Sequence, residues 1–360
     1  MRTNWNRPLE IYISRLSSNV LISISEWLLR GVIMSVVRKV QRTPSGTFFV
    51  CLPKRWAEQH GLKSGSVVAV NETADGRLFI DPEYGVAPSP RGITLKSGPY
   101  LSREIIGKYL LGFDIIRIES GSRVGVEVRD TVKGAMDRLI GLEIVEEDYS
   151  SIVLQCLLEP SGFPPEKILR RSYAIAAGMH RDVVKSFLDG DVPLAEGVVA
   201  RDVEGNRLYF LLVRILRTIV QNPELSGKLG VSPIDCLDYR LVASLVEAIG
   251  DECVRAALKT VELKGVRIDE NMKKPFVTFN SSCFAAHENA LKAFFLGDIA
   301  LAEGVRESQA KLEEVFGEVE RVARRQSLAV VPQVLAFASF VRQIYEHSVD
   351  IADLVVPKKT

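Results

Sequence analysis

The sequence Asp-Val-Pro-Leu-Ala-Glu-Gly-Val at residues 191–198 recurs as Asp-Ile-Ala-Leu-Ala-Glu-Gly-Val at residues 298–305. A second pair of segments recurs in the same order, because Ser-Leu-Val at 244–246 is matched by Ser-Phe-Val at 339–341. Apolar residues with helical spacing surround both copies. The C-terminal half of the chain therefore contains an internal repeat of helical units.

This repeat predicts an all-α region over residues 164–356, with three-helix units at 164–264 and 275–356. Two such units form a six-helix bundle with a pseudo-twofold axis. Pro164 and Pro165 are placed to open the first helix and Gly190 to close it. The predicted helices are Glu166–Leu188, Pro193–Val220, Pro233–Leu263, Pro275–Leu296, Ile299–Arg325 and Pro332–Val355.

The composition is that of a globular protein and excludes several classes. The 46 Lys and Arg residues balance 45 Asp and Glu residues, so the net charge is +1 and the chain is not a polybasic nucleic-acid coat. The five cysteines lie far apart without a Cys-x-x-Cys pair, and the four histidines lack metal-ligand spacing. Among these, His180 and His287 have no partner nearby along the sequence. We therefore expect a reducing, cytoplasmic compartment.

Residues 1–33 differ from the rest of the chain. Their apolar run, Val20–Leu29, is too short to span a bilayer and is interrupted by Glu26. The apolar stretch Leu208–Val220 is likewise interrupted, by Arg214 and Arg217, and is predicted as a core helix, so no membrane insertion is expected. We interpret residues 1–33 as a disordered leader or an over-extended start before Met34; the alternative is an interfacial amphipathic helix.

Residues 34–85 predict a small β-rich domain, which we call the head. Strands are expected near Val36–Gln41, Thr47–Leu52, Val67–Val70 and Leu78–Ile80, and a short helix follows Pro53. Asp75-Gly76 is a strong hairpin signal. Four short strands and one short helix cannot enclose much core alone, so we expect a homodimer with a shared core.

Basic residues are concentrated in the head. Six Lys and Arg residues lie between Val36 and Ser64 against a single acid, Glu58. Such a surface attracts a phosphate backbone. The alternative is ordinary solvated surface charge.

The pattern from Val37 to Val70, with Leu52-Pro53-Lys54 and Gly61-x-x-x-Gly65, resembles the AbrB/MazE/SpoVT swapped-hairpin family. That resemblance implies an obligate dimer that binds DNA through basic residues of the first hairpin and of the loop before the helix. The family also includes antitoxins that bind partner proteins, so dimerisation and protein binding stay open. The residues carried over are Arg38, Lys39, Arg42, Lys54 and Arg55.

Strands and helices alternate over residues 92–160, which predicts a small α/β domain. Its expected helices are Leu101–Leu111 and Val128–Ile140. It carries no glycine-rich phosphate loop, nucleophile elbow or carboxylate pair. We expect it to couple the domains on either side. The chain is thus predicted as a multidomain α+β protein.

Two spacings in the first helical repeat are candidates for chemistry. Asp202-x-x-x-Asn206 and Glu247-x-x-x-Asp251 each place two oxygen-bearing side chains one helical turn apart. If the second and third helices pack antiparallel, the four groups converge into an oxygen cage for a divalent cation or iron. The alternative is solvated carboxylates, since Glu247 and Asp251 are expected well away from the apolar stripe of the third helix, which consists of Leu241, Leu245, Ile249 and Cys253.

The tandem units with Asp202–Phe210 and Glu-Ala-Ile-Gly-Asp at 247–251 resemble the PhoU family of phosphate-uptake regulators. An AbrB-like head on a PhoU-like body is typical of its archaeal members. The resemblance implies a non-enzymatic protein that binds metal at these carboxylates. It also implies that the protein restrains a Pst-type phosphate ABC transporter and phosphate-responsive signalling.

Three departures from the PhoU pattern bear on the metal site. Asn206 replaces the usual carboxylate and Ala248 the usual basic residue, which weakens the first site. In the second repeat the matching positions hold Gln309, Glu313, Arg342 and Glu346. Because the arginine repels a cation, the second repeat is predicted not to bind metal.

Together these patterns predict a phosphate-responsive transcriptional regulator that binds DNA with its head and senses through its helical body. The alternative is an adaptor whose body docks on a transporter ATPase or a signalling partner, with the head used only to dimerise. An enzyme is disfavoured, since metal-assisted hydrolysis needs a carboxylate base and a coordinated water with supporting groups.

Overall fold

The computed structural model describes residues 37–72, 76–82, 90–264, 266, 268–327 and 330–357. The chain divides into two compact units, with the boundary after Ala87. The leader at 1–33 and Asp75 of the predicted hairpin lie outside the described residues.

The first unit consists of two antiparallel hairpins and one short helix, in the predicted order. Strand β1 pairs with β2, and β3 with β4. The strands of the first hairpin are shorter than expected, whereas Gly46 and Gly61 adopt the positive φ values (96° and 63°) that their turns require. The elements are β1 (Gln41–Arg42), β2 (Phe48–Phe49), α1 (Lys54–Gln59), β3 (Ala69–Glu72) and β4 (Leu78–Asp81).

Over residues 37–72 and 76–82 no side chain is buried. Large apolar groups stay accessible to solvent, among them Phe48 (68% exposed) and Leu78 (70% exposed). Burial of this apolar surface would stabilise the unit, and that stabilisation is missing while the side chains face solvent. This part of the chain therefore does not enclose a hydrophobic core by itself.

The second unit opens with an α/β layer. Its sheet has the order β5-β6-β8-β7, in which β5 and β6 are parallel and the other pairs antiparallel. Ile105, Tyr109 and Val132 of the helices bury against Ile116 and Leu154 of the strands. The elements are β5 (Gly92–Lys96), α2 (Leu101–Leu110), β6 (Ile115–Glu119), α3 (Val126–Met136), β7 (Leu142–Glu147) and β8 (Ser151–Cys156).

The rest of the unit is helical. Eight helices, rather than the six expected, are found in the described residues between Pro165 and Asp353, because a short helix follows Asn222 and the fifth predicted helix is broken at Ser308. The helices are α4 (Pro165–Asp189), α5 (Val192–Gln221), α6 (Pro223–Leu229), α7 (Pro233–Glu262), α8 (Glu270–Leu296), α9 (Ile299–Glu307), α10 (Gln309–Ala323) and α11 (Val331–Asp353).

Helices α4, α5 and α7 pack on one another, α8 packs on α9, α10 and α11, and α7 and α11 join the two sets. Phe187 of α4 stacks on Phe337 of α11, with ring centroids 3.8 Å apart, and Phe276 of α8 lies 5.3 Å from Phe187. One hydrophobic core therefore runs through both repeats. None of the helices in the described part of the chain has the length and apolarity that a bilayer crossing needs.

Arg214 fixes the α/β layer to the helical body. Its side chain is buried (1% exposed). Nη1 donates to the carbonyl oxygens of Tyr109 (2.7 Å) and Phe113 (2.8 Å), and Nη2 to Oδ1 of Asp114 (2.9 Å). The arginine predicted to interrupt an apolar core helix thus donates from both terminal nitrogens to the end of α2 and to the turn before β6.

Candidate functional site

Helices α5 and α7 bring the four predicted oxygen-bearing side chains to one region. A narrow cavity of about 10 Å³ is lined by Asp202 and Asn206 from α5 and by Glu247 and Gly250 from α7. That volume is close to the minimum for one water-sized particle. Asp251 is next to Gly250 in the same helix, and its charge acts on both Asp202 and Glu247.

The acidic groups of this cluster repel one another. Burial, followed by repulsion from Asp251, raises the pKa of Asp202, while the hydrogen bond from Nδ2 of Asn206 (2.7 Å) opposes the rise. Burial also raises the pKa of Glu247, with added repulsion from Asp251 and Asp202 and partial relief from Arg240. A bound cation would remove this repulsion.

The apolar face of α7 is only partly the one predicted. Leu241 is 51% exposed, whereas Val242 and Val246 are buried together with Ile249 and Cys253. Val246 and Gly250 themselves line the cavity beside Asp202. Glu247 and Asp251 therefore lie at the edge of the buried face, where α5 approaches, and not well away from it.

The donor chemistry of the cluster fits a hard divalent cation, because three carboxylates and one amide oxygen are the ligands such ions prefer. Among the described residues, none of the three carboxylates forms an ion pair that would occupy it. The described side chains also include no group of three His, Cys, Asp or Glu residues arranged to hold a metal ion. The cluster therefore contains the residue types of a cation site, but its side chains are not arranged around a common point as metal ligands.

The corresponding region of the second repeat contains its own positive charge. Nη2 of Arg342 lies 2.5 Å from Oε1 of Glu313, and its Nε lies 3.7 Å from Oε1 of Glu346. The guanidinium also lies over the Phe316 ring, 5.1 Å from its centroid. Gln309, the fourth matching residue, is exposed. Two of the carboxylate positions are thus neutralised by an arginine.

The basic residues predicted to bind DNA are all exposed on the first unit. Arg38, Lys39 and Arg42 belong to the first hairpin and its approach, while Lys54 and Arg55 form the first turn of α1. The guanidinium of Arg42 lies 5.4 Å from the Phe48 ring centroid, and Nζ of Lys54 lies 3.8 Å from Glu58. An ion pair as exposed as this last one leaves the lysine largely available to an external anion.

Sequence reasoning missed a polar contact inside the helical core. His180 of α4 and His287 of α8 are both fully buried and contact each other. The hydroxyl of Tyr173 lies 2.8 Å from Nδ1 of His287. The two histidines are 107 positions apart, so no spacing in the sequence signals the contact.

Comparison with known proteins gives one family match. Residues 169–260 match the family model described as PhoU domain. They cover most of α4, all of α5 and α6, and α7 except for its last two residues. All four residues of the carboxylate cluster lie inside the matched range. No curated protein matches the chain.

Two crystal structures of PhoU proteins are similar to the chain. For PhoU from Pseudomonas aeruginosa the identity is 18% and the TM-score 0.47, with 53% of this chain and 93% of that chain covered. For the phosphate transport system regulatory protein PhoU from Streptococcus pneumoniae the identity is 15% and the TM-score 0.44, with 53% of this chain and 91% of that chain covered.

Proposed function

We propose that this chain is a cytoplasmic regulator of phosphate uptake that performs no catalysis of its own. The observation that carries the proposal is the PhoU domain match over residues 169–260, with the carboxylate cluster inside it. The Streptococcus pneumoniae relative is described as a regulatory protein of a phosphate transport system, which supports the same role.

Within this proposal, Asp202, Glu247 and Asp251 would hold a divalent cation or iron, assisted by the amide oxygen of Asn206. The ion would supply positive charge that relieves the repulsion among the three carboxylates. Support comes from their nearness, since each of Asp202 and Glu247 experiences the charge of Asp251. The arginine in the second repeat supports binding at the first repeat alone.

The proposed output of the regulator is DNA binding by the head. Five exposed cationic side chains on one small unit favour contact with a phosphate backbone. The exposed apolar side chains of the same unit favour a second copy of the chain as the partner that covers them. A homodimer would present two such basic surfaces to DNA.

An adaptor is the second candidate. The unburied apolar surface of the head accounts for dimerisation without any DNA contact. The helical body would then dock on a component of a phosphate ABC transporter and restrain it directly.

Phosphate uptake by cells tests the shared part of both candidates. Deletion of the gene is expected to leave uptake unrestrained at high external phosphate, and the wild-type gene is expected to restore restraint. Unchanged uptake in the deletion strain would contradict the regulatory role.

Binding to promoter DNA of the cell's own phosphate-transport genes separates the two candidates. Affinity is expected to fall steeply as salt rises, and Lys54→Ala with Arg55→Ala is expected to weaken it about tenfold or more. The control is Lys63→Ala, an exposed lysine of the same unit outside the predicted set. DNA affinity that changes neither with salt nor with the double substitution would contradict DNA binding by the head and favour the adaptor.

A further inference from the structure

A cleft of about 560 Å³ lies at the side of α5 and is also lined by Arg171 of α4 and by Ile140, two residues before β7. Three guanidinium groups line it, from Arg171 of α4 and from Arg201 and Arg207 of α5, against the single carboxylate of Glu204. Gly197 lies along its floor, and a Cβ placed there would meet no atom within 4 Å. The cleft is therefore open, and cationic groups dominate its walls.

The three arginines differ in how they are compensated. Nη2 of Arg171 lies 2.8 Å from Oε1 of Glu204, and Arg201 is paired with Asp182. Arg207 forms no ion pair with any described residue, and its Nε is enclosed by protein without a hydrogen-bond acceptor. The Nε atoms of Arg214 and Arg342 are enclosed in the same way. What distinguishes Arg207 within the cleft is therefore the absence of a carboxylate partner among the described residues.

We propose that this cleft binds a phosphate-bearing anion, with Arg207 as the principal donor and Arg171 and Arg201 as its partners. Guanidinium groups match the oxygens of a phosphate in pairs, which is why arginine predominates where phosphate is recognised. An anion in the cleft would supply the negative charge that the Arg207 guanidinium lacks among its described neighbours. It also competes with Glu204 for Arg171.

The dimensions of the cleft admit more than a free ion. Cavities of this volume hold small organic ligands, so inorganic phosphate and a phosphorylated small molecule share the required chemistry. Ile140 and Leu208 add apolar wall beside the arginines. The experiment below distinguishes the two sources.

The cleft is separate from the carboxylate cluster, although both use α5. As the input of a phosphate regulator it rests on the proposed function, but anion binding itself does not require that function. If the chain binds phosphate in this cleft but its deletion does not change phosphate uptake, the anion site is supported and the proposed regulatory role is contradicted.

Calorimetric titration of the full chain tests the proposal. Inorganic phosphate and ATP are titrated in separate runs, in EDTA so that no metal bridges the anion, at constant ionic strength. Arg207→Gln is expected to weaken binding about tenfold or more, as for loss of a hydrogen-bond donor to a charged group. Glu204→Gln is expected to strengthen it about twofold to fivefold, because an exposed competing ion pair is removed.

The matched control is Arg217→Gln, an exposed arginine of the same helix outside the cleft, which is expected to bind like wild type. A variant lacking the carboxylates, Asp202→Asn with Glu247→Gln, is also expected to retain anion binding. Saturation by inorganic phosphate identifies the free ion, and saturation by ATP alone identifies a phosphorylated molecule. Saturation by neither, or equal losses in Arg207→Gln and Arg217→Gln, overturns the site.

Discussion

Nδ1 of His180 lies 3.0 Å from Nε2 of His287, so two imidazole rings from different repeats share a hydrogen bond in the hydrophobic core. Burial lowers the pKa of His180 to about 4. Burial, with repulsion from His180 and Arg181, lowers the pKa of His287 to about 2. Both rings are therefore neutral at physiological pH, and one donates its N–H to the other.

The free energy of unfolding is expected to fall as the pH is lowered from about 6.5 toward 4. The unfolded chain takes up protons near the ordinary histidine pKa, whereas the folded chain does not until lower pH. The two buried neutral histidines therefore contribute their full stabilisation of the folded chain above pH 6.5. Below pH 6.5 this stabilisation falls by up to about 1.4 kcal/mol per pH unit for each histidine. Urea denaturation over a pH series measures the slope.

The slope is expected to be shallower in His180→Phe with His287→Phe, because neither group then titrates. His60→Gln, which changes an exposed histidine of the head, is expected to leave the slope as in wild type. Equal slopes in wild type and the double variant would contradict the assignment.

Metal content is expected to depend on the first repeat alone. Glu247→Gln with Asp251→Asn removes two of the three carboxylate charges and is expected to abolish metal retention, measured by elemental analysis of purified protein. Glu313→Gln with Glu346→Gln, the matching pair in the second repeat, is the control and is expected to retain the metal. An unchanged metal content in Glu247→Gln with Asp251→Asn would contradict the proposed metal site.

Asn206→Asp is expected to destabilise the metal-free chain and to strengthen its response to Mn²⁺. The amide that donates to Asp202 becomes a fourth carboxylate, so the cost is about 1 kcal/mol in EDTA. Gln309→Asp is the matched control, because that position is exposed and belongs to the repeat that holds Arg342. Thermal unfolding with EDTA and with Mn²⁺ measures both effects; equal shifts in the two variants would contradict the prediction.

Arg214→Met is expected to destabilise the second unit by about 3 kcal/mol, since it removes the buried charged partner of Asp114 and one donor each from the carbonyl oxygens of Tyr109 and Phe113. Limited proteolysis is expected to become faster between β8 and α4, where the α/β layer joins the helices. Arg217→Met, on the exposed side of the same helix, is expected to change stability by less than about 0.5 kcal/mol. Similar losses in both variants would mean that the buried contacts do not stabilise the junction.

The full chain is expected to be dimeric at micromolar concentration, because the head leaves its apolar side chains uncovered. Phe79→Asp places a charge among them and is expected to shift the mass measured by light scattering toward the monomer. Tyr149→Asp, a change at another exposed aromatic in the second unit, is expected to leave the mass unchanged. A monomeric wild-type chain would contradict the shared core.

The sequence predicts most helices of the body to within a few residues, because prolines and glycines mark many of their ends. The predicted start at Pro275 is wrong, because Asp269 caps α8 and the helix begins at Glu270, with Pro275 inside it. Two features between these helices are not predicted. The second helix ends next to Asn222, within one residue of the predicted end, but Oδ1 of Asn222 then accepts a hydrogen bond from the amide of Leu225 (3.0 Å) and begins α6 after this break. At the other break, the Ser308 hydroxyl bonds the carbonyl of Val305 (2.6 Å) and meets the Tyr345 hydroxyl (3.0 Å) from α11. That second break depends on a tertiary contact, which local sequence does not contain.

The candidate site was predictable in its residue types and not in its surroundings. Helical spacing placed Glu247 and Asp251 on one face, but the approach of α5 along Gly250, whose added Cβ would lie 3.9 Å from Oδ1 of Asp202, depends on how the helices pack. The arginine cleft was missed for the same reason, since Arg171 and Arg207 come from different helices. Each is an unremarkable surface arginine in the linear sequence.

Helix α5 extends without interruption from Val192 to Gln221. Residues of the arginine cleft and of the acidic cluster lie between Gly197 and Leu208 of this helix, and the buried guanidinium of Arg214 that holds the α/β layer follows them. About 12 Å separates Asn206 from Arg214 along the axis, at the usual rise of about 1.5 Å per residue. Such a rod has no hinge, so any displacement that ligands cause at one end must be transmitted to the sheet as a rigid shift or rotation.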